Sequence, residues 1–251
     1  MENKMSIVKS FLSIALLLGF VATLRAQHVA VEPNDVKNDG WLNRYKESAE
    51  IMEKGNIDLL MIGDSITHGW ESQKELWDMY YGNRKAINLG ISGDRTEHVL
   101  WRLDHLPLNK ISPKAAMIMI GTNNVGHGSS NPKQASEGIL EIVKRLQKAF
   151  PDMKILVLNV FPRGVNPDDN LRKAVDEINS YLPDLFKNEK NVTLLNINDK
   201  MLDKDGVLTE EIMPDALHPG KKGYGIWARA VEPTLSKLLG EENPATKPVL
   251  K

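Results

Sequence analysis

At 251 residues, with 41% hydrophobic and 26% charged residues, the chain has the length of one domain and the composition of a soluble globular protein with a sizeable core. Its 32 basic and 33 acidic residues give a net charge of −1, so there is no basic field to hold nucleic acid or an anionic membrane. Cysteine is absent, which excludes a thiol nucleophile, disulfides, a cysteine-based zinc site and lipid attachment through an amino-terminal cysteine.

The amino terminus reads as a secretion signal. Lys4 and Lys9 precede the apolar stretch Phe11 to Leu24, which ends near the small residue Ala26. That stretch is shorter than the ~20 residues that span a bilayer, so the expectation is cleavage after Ala26 and no stable membrane anchor. Export to the periplasm or the medium follows, with a mature chain of net charge −3. A polar leader, 27–39, comes next. From there short apolar runs alternate with amphipathic ones, the pattern of a parallel sheet with helical crossovers. Strands are predicted at Ile57–Ile62, Lys85–Leu89, Ala115–Ile120, Lys154–Asn159 and Val192–Asn196.

Two helices are marked by apolar spacing of three and four: Ala135, Ile139, Val143, Leu146 and Phe150, then Leu171, Ala174, Ile178, Leu182 and Leu185. Pro151 stops the first. Pro219 suits the first position of a last helix reaching about Leu239, with His218 held extended before it. The domain is expected to cover 40–239, with a disordered tail over 240–251. Asp203-Lys204-Asp205-Gly206 echoes part of a calcium loop but lacks the third acidic position and the distal glutamate, so it reads as a turn. His98 and Trp101 lie near Val99 and Leu103 on a helical stripe and read as packing residues.

In an open parallel sheet, ligands bind outside the carboxyl ends of the strands. Gly63-Asp64-Ser65 stands directly behind the first strand and places a hydroxyl where strand gives way to helix. A serine hydroxyl is protonated at neutral pH and needs a base, for which an imidazole is well suited. His218 is the candidate, and Asp215, three residues earlier, can reach its other ring nitrogen if the segment makes one turn. Attack on a carbonyl also creates an alkoxide that needs preformed donors. The backbone N–H groups of Ser65 and Gly93 and the side-chain amide of Asn123, in loops after the first three strands, are the candidates. Asp64, His68, Trp70, Asn124, His127 and Arg163 are candidates for lining a substrate pocket.

Gly63-Asp64-Ser65, Gly93, Gly-Thr-Asn123 and Asp215-x-x-His218 together resemble the four blocks of the SGNH, or GDSL-type, hydrolase family. The run from Asn88 to Leu103 and Phe161-Pro-Arg-Gly164 are most similar to its platelet-activating-factor-acetylhydrolase-like branch. The resemblance covers roughly Trp41 to Leu238. It implies an α/β fold, a flavodoxin-like three-layer α/β/α sandwich around five parallel strands, and metal-independent hydrolysis of small acyl esters. It also implies Ser65 as nucleophile, Asp215 and His218 completing a triad, and Gly93 and Asn123 in the oxyanion hole. His68-Gly69-Trp70 and the secretion signal depart from the lipid-cleaving relatives.

The expectation is thus an exported serine esterase acting on a short acyl ester, acetyl foremost, of a small molecule or polysaccharide. Lipid acetylhydrolase, lysophospholipase and O-acyltransferase are the nearer alternatives, and a catalytically silent carbohydrate-binding module is one of a different class. A nucleotide or flavin protein is disfavoured, because the loop after the first strand has no glycine-rich phosphate cradle. No cofactor or metal is expected, and the reading leaves room for a homodimer.

Overall fold

The computed structural model describes residues 28–36 and 38–241, so the expected signal peptide and the tail beyond Glu241 lie outside the described residues. Five strands, β1 (Leu59–Gly63), β2 (Ala86–Asn88), β3 (Ala115–Met119), β4 (Lys154–Leu158) and β5 (Val192–Leu195), form one sheet in the order β2-β1-β3-β4-β5. Every neighbouring pair is parallel. Each strand falls within one or two residues of its predicted span. β1 and β3 are buried at every position, as near-continuous apolar runs are when helices cover both faces.

Alternation along the strands divides the core in two. Leu60, Ile62, Ala116, Ile118, Ile155 and Val157 face one side. There they meet α1 (Asp39–Glu53), α4 (Thr96–His105), α6 (Pro132–Ala149) and α7 (Asn170–Phe186), through residues such as Met52, Val99, Ile139 and Ile178. Leu59, Met61, Met117, Met119, Leu156 and Leu158 face the other side, packing with Trp70, α3 (Lys74–Tyr80) and α8 (Lys221–Leu239). Sheet and helices on both faces make the three layers that the sequence led us to expect. Two short helices, α2 (Ser65–His68) and α5 (Thr122–Gly126), follow β1 and β3. Among the described residues no helix is long and apolar enough to cross a membrane.

α6 shows how local sequence sets an element. Asn131 accepts the Gln134 N–H while the Gln134 side chain accepts the Asn131 N–H, and Pro132 opens the helix with its φ preset. Ala135, Ile139, Val143 and Leu146 are all 1% exposed or less. Each of the larger three contributes about 1.5–3 kcal/mol by leaving water.

Three expectations need correction. The buried face of α7 is carried by Val175, Ile178, Leu182 and Phe186, whereas Leu171, Ala174 and Leu185 are only partly buried. The stripe is rotated by about one residue because the sheet, and not apolar content alone, sets which face turns inward. Pro219 does not open the last helix: Gly220 is its N-cap and Lys221 its first residue, because Gly220 is extended (φ −77°, ψ −178°), while its N–H is satisfied outside the helix by the Ile212 carbonyl at 2.9 Å. The tail does not begin at Gly240. That glycine closes α8 in a left-handed conformation (φ +73°), and Glu241 accepts hydrogen bonds from the buried Arg84.

Candidate active site

Ser65 is the first residue of α2, immediately beyond β1, and is half-buried. Opposite it, the loop before α8 makes one turn in which Asp215 Oδ1 accepts the Leu217 N–H (3.0 Å) and the His218 N–H (2.7 Å). The turn requires Ala216 in the left-handed region (φ +56°), and the Ala216 carbonyl is held by the Gly164 N–H at 2.8 Å. A non-glycine residue there costs on the order of 1 kcal/mol, which the Asp215 bonds offset. The other carboxylate oxygen, Asp215 Oδ2, lies 2.6 Å from His218 Nδ1, and His218 Nε2 lies 2.8 Å from Ser65 Oγ.

Partial burial pushes the Asp215 carboxyl up, but the hydrogen bonds from the His218 ring and backbone outweigh it and hold the group below its ordinary value. The carboxylate is therefore charged at neutral pH and accepts from Nδ1–H, which leaves Nε2 bare to accept the Ser65 hydroxyl proton. Such a chain can raise the nucleophilicity of Ser65 and stabilise the imidazolium that results.

The neighbouring loops supply donors. β1 lies between β2 and β3, so Ser65 is flanked by the loop after each. Gly93, in the first loop, has φ +80° and open space where a side chain would stand. Only glycine takes that backbone without strain, and its N–H is unshielded by a Cβ. Asn123, in the second, is 6% exposed, and one hydrogen of its Nδ2 is donated to the Asp94 carbonyl at 3.0 Å. That bond fixes the amide and leaves the second hydrogen for a ligand.

A buried network that sequence reasoning missed anchors the first loop. The Asp94 carboxylate, with no exposure, accepts Trp41 Nε1–H at 2.6 Å and two bonds from Arg102, at 2.6 and 3.0 Å. Arg102 also donates to the Leu89 carbonyl at 2.8 Å. The Gly93 loop is thereby tied to α1 and α4 by a charge-paired set in which every Arg102 nitrogen is used. Asp94 and Arg102 are opposite charges eight residues apart, one directly after Gly93 and the other two turns into α4, which was the available signal.

The pocket candidates divide. His68 and His127 line an open cleft of about 720 Å³ beside Gly93. His68 Nδ1 is 3.0 Å from Ser92 Oγ, and burial together with the nearby Arg44 lowers its pKa against the pull of Glu71, which favours the neutral ring. Arg163 is half-buried, donates to the Thr122 carbonyl and hydroxyl (3.2 Å each) and thus secures α5 below Asn123. Asp64, Trp70 and Asn124 do not line the cleft. Asp64 caps α2 by accepting the Ile66 N–H at 2.9 Å; Trp70 packs against Tyr81, Tyr224 and Trp227 in the core; Asn124 bonds Thr96 and Glu97. All three have no exposure: Asp64 and Asn124 stand beside Ser65 and Asn123 and point inward, and Trp70 lies in the helical turn that follows α2.

His98 is buried, as expected of a packing residue, and burial lowers its pKa to about 4. Asp203 Oδ1 accepts the N–H groups of Asp205 and Val207 in a plain turn. Among the described residues no cluster of three or more metal-ligating side chains occurs.

Comparison with known proteins bears on this geometry. Residues 61–226 match the model of the GDSL-like lipase/acylhydrolase family. The chain is 30% identical over 218 residues to a platelet-activating factor acetylhydrolase IB subunit alpha1 of Homo sapiens, covering 86% of this chain and 92% of that one. Its fold is similar to that of a GDSL-like lipase from Bacteroides thetaiotaomicron (TM-score 0.63, 21% identity, 77% of this chain and 97% of that one). It is also similar to an acetylxylan esterase from Geobacillus stearothermophilus (TM-score 0.57, 19% identity, 74% and 95%). The matched span begins within β1 and ends within α8, so it takes in Ser65, Asn123 and His218 alike, and the chain belongs to the GDSL-like lipase/acylhydrolase family of ester hydrolases.

Proposed function

We propose that the protein is an exported serine esterase that removes acetyl groups from a carbohydrate. The observation that carries the reading is the hydrogen-bonded chain Ser65 Oγ, His218 Nε2, His218 Nδ1, Asp215 Oδ2, at 2.8 and 2.6 Å. Ser65 Oγ bonds to the ester carbonyl carbon as its proton passes to His218 Nε2, while the Ser65 and Gly93 N–H groups and Asn123 Nδ2 stabilise the oxyanion. On collapse the alcohol departs with the proton from His218, leaving an acetyl-serine. A water, deprotonated by the same ring, then releases acetate and restores Ser65. Interception of the acyl-enzyme by a sugar hydroxyl would give acyl transfer by the same steps.

Acetyl is favoured because a 30%-identical relative and a structural neighbour both carry acetyl-ester activity in their names. The carbohydrate is favoured by the polar side chains of the cleft beside Gly93. A lipid acetyl ester is the second reading, supported by the similarity to the platelet-activating factor acetylhydrolase subunit over most of both chains. Export rests on Lys4, Lys9 and the apolar stretch to Leu24; secreted protein should begin at Gln27, and an intact Met1 would refute it.

Ser65→Ala should abolish release of p-nitrophenol from its acetate while the protein stays folded, and undiminished activity would reject the assignment. A panel of acetylated xylo-oligosaccharides and an acetylated choline phospholipid, scored by acetate release, separates the two substrate readings.

A further inference from the structure

Residues 28–36 of the leader are built into the domain. Ala30 has no exposure, and its carbonyl accepts Thr96 Oγ1–H at 2.8 Å. The Asn34 N–H donates to the Glu97 carbonyl at 3.1 Å, and His28 Nε2 lies 2.7 Å from Glu137 Oε2. α6 admits this segment through Gly138, where a Cβ would stand 2.6 Å from the Ala30 carbonyl and 2.4 Å from Thr96 Oγ1. At its other end Asn38 caps α1 by accepting the N–H groups of Gly40 (2.9 Å) and Trp41 (3.2 Å), and Trp41 is bonded to Asp94, the neighbour of Gly93. Held through His28, Ala30 and Asn34, residues 28–36 present Asn34, Asp35 and Val36 as one wall of the 720 Å³ cleft, with Ser92 and Gly93 among the residues lining it and His127 contributed by the end of α5.

The polar groups facing this space have unused capacity. Asn34 and the half-buried Asp35 make no side-chain hydrogen bond or ion pair with another described residue, and neither does the exposed His127 ring. Arg95 has Nε on Glu97 and Nη2 against His98, which leaves its other terminal nitrogen. Arg44, whose nitrogens serve the Gly90 and Asn88 carbonyls and Glu71, is structural. An apolar alcohol would strand a carboxylate, an amide and a guanidinium away from water, whereas adjacent hydroxyls can donate to the carboxylate and accept from the cation.

We propose that the leader wall is the alcohol subsite and that Asp35 is a specificity-determining residue, accepting hydrogen bonds from neighbouring hydroxyls of a sugar whose acetyl group lies at Ser65. This rests on the reading of Ser65 as the nucleophile. Its test uses the full chain with partly acetylated xylo-oligosaccharide and p-nitrophenyl acetate, which has no hydroxyls to read. Asp35→Ala should lower kcat/KM on the oligosaccharide about tenfold, mainly through KM, and leave the nitrophenyl ester within about twofold. Asp35→Asn, which keeps one acceptor, should recover part of the loss.

Equal loss on both esters, or no loss on either, overturns the proposal. So does Ser65-dependent activity of the unaltered protein on the nitrophenyl ester or on an acetylated choline phospholipid with none on the sugar, which leaves the esterase reading intact. Activity that survives Ser65→Ala overturns the underlying reading instead.

Discussion

Asp64 offers a sharp test of how the turn at Ser65 is stabilised. Its carboxyl has no exposure; Oδ1 accepts the Ile66 N–H at 2.9 Å, and Oδ2 has no hydrogen-bond partner among the described residues. Burial dominates its titration. The Ile66 N–H and His218 act against burial and the Asp94 carboxylate acts with it, and the group is pushed up from 3.8 to about 7. Below pH 3.8 the folded and unfolded chains both hold the proton. Between 3.8 and about 7 only the folded protein does, so raising the pH draws the equilibrium toward the unfolded, ionised chain at about 1.4 kcal/mol per unit. The contribution is fully lost near pH 7 and level above it, a total of about 4 kcal/mol.

Asp64→Asn keeps the acceptor for Ile66 and removes the ionisation. The unpartnered amide hydrogens introduce a penalty of about 1–3 kcal/mol, but that penalty does not vary with pH. In urea unfolding from pH 4 to 8, the stability of the variant relative to the unaltered protein should therefore rise by about 4 kcal/mol, whatever its starting offset. A difference that stays constant across this range would refute the assignment of a protonated Asp64 beneath the site.

Asn123→Ala removes the side-chain donor proposed for the oxyanion together with the bond to the Asp94 carbonyl. kcat on p-nitrophenyl acetate should fall about 10²–10³-fold while unfolding free energy falls by only about 1 kcal/mol; a loss of stability with kcat unchanged would place the amide outside the reaction. Trp41→Phe retains the ring but deletes the N–H donated to the buried Asp94 carboxylate. Stability should fall by about 1.5–3 kcal/mol in urea unfolding, and kcat should fall with KM little changed, because the Gly93 loop and Asn123 both depend on Asp94. An unaltered kcat would show that the loop holds its position without α1.

The parts legible in the sequence are those with a short-range signature. The strands are apolar runs bounded by turns, and Ala135 to Leu146 repeat at the helical period, so their residues reveal their elements directly. The blocks around Ser65, Gly93 and Asn123 were legible because each follows a strand end, and His218 because an aspartate stands three residues before it. α1 was not: its fully buried residues are only Trp41, Ser48 and Met52, one of them polar, and the rest of its inward face, Tyr45 and Ala49, is only partly buried. Nor could composition separate Asp64, Trp70 and Asn124 from true pocket residues, since polar or large side chains next to a reactive serine look alike until burial is known. The leader was read as polar and left without a role because the glycine that admits it, Gly138, lies more than a hundred residues away.

Topology explains why the reactive groups converge despite this separation. The chain leaves β1 for β2 on one side and returns to β3 on the other, so the loops after β1 and β3 part company there and open a crevice at the carboxyl edge. Ser65 and Asn123 occupy its two lips, and the Asn123 to Asp94 bond draws the third loop to the same place. His218 arrives from beyond β5, at the far edge of the sheet, and depends on α8 crossing back beneath the site. Tyr224 secures that crossing: its hydroxyl donates to the Ile66 carbonyl at 2.8 Å, one turn into α8 and one residue past Ser65. The contact joins the helix that follows His218 to the helix that opens with Ser65, so the 2.8 Å approach of His218 to Ser65 is held by the packing of two elements and not by the side chains alone.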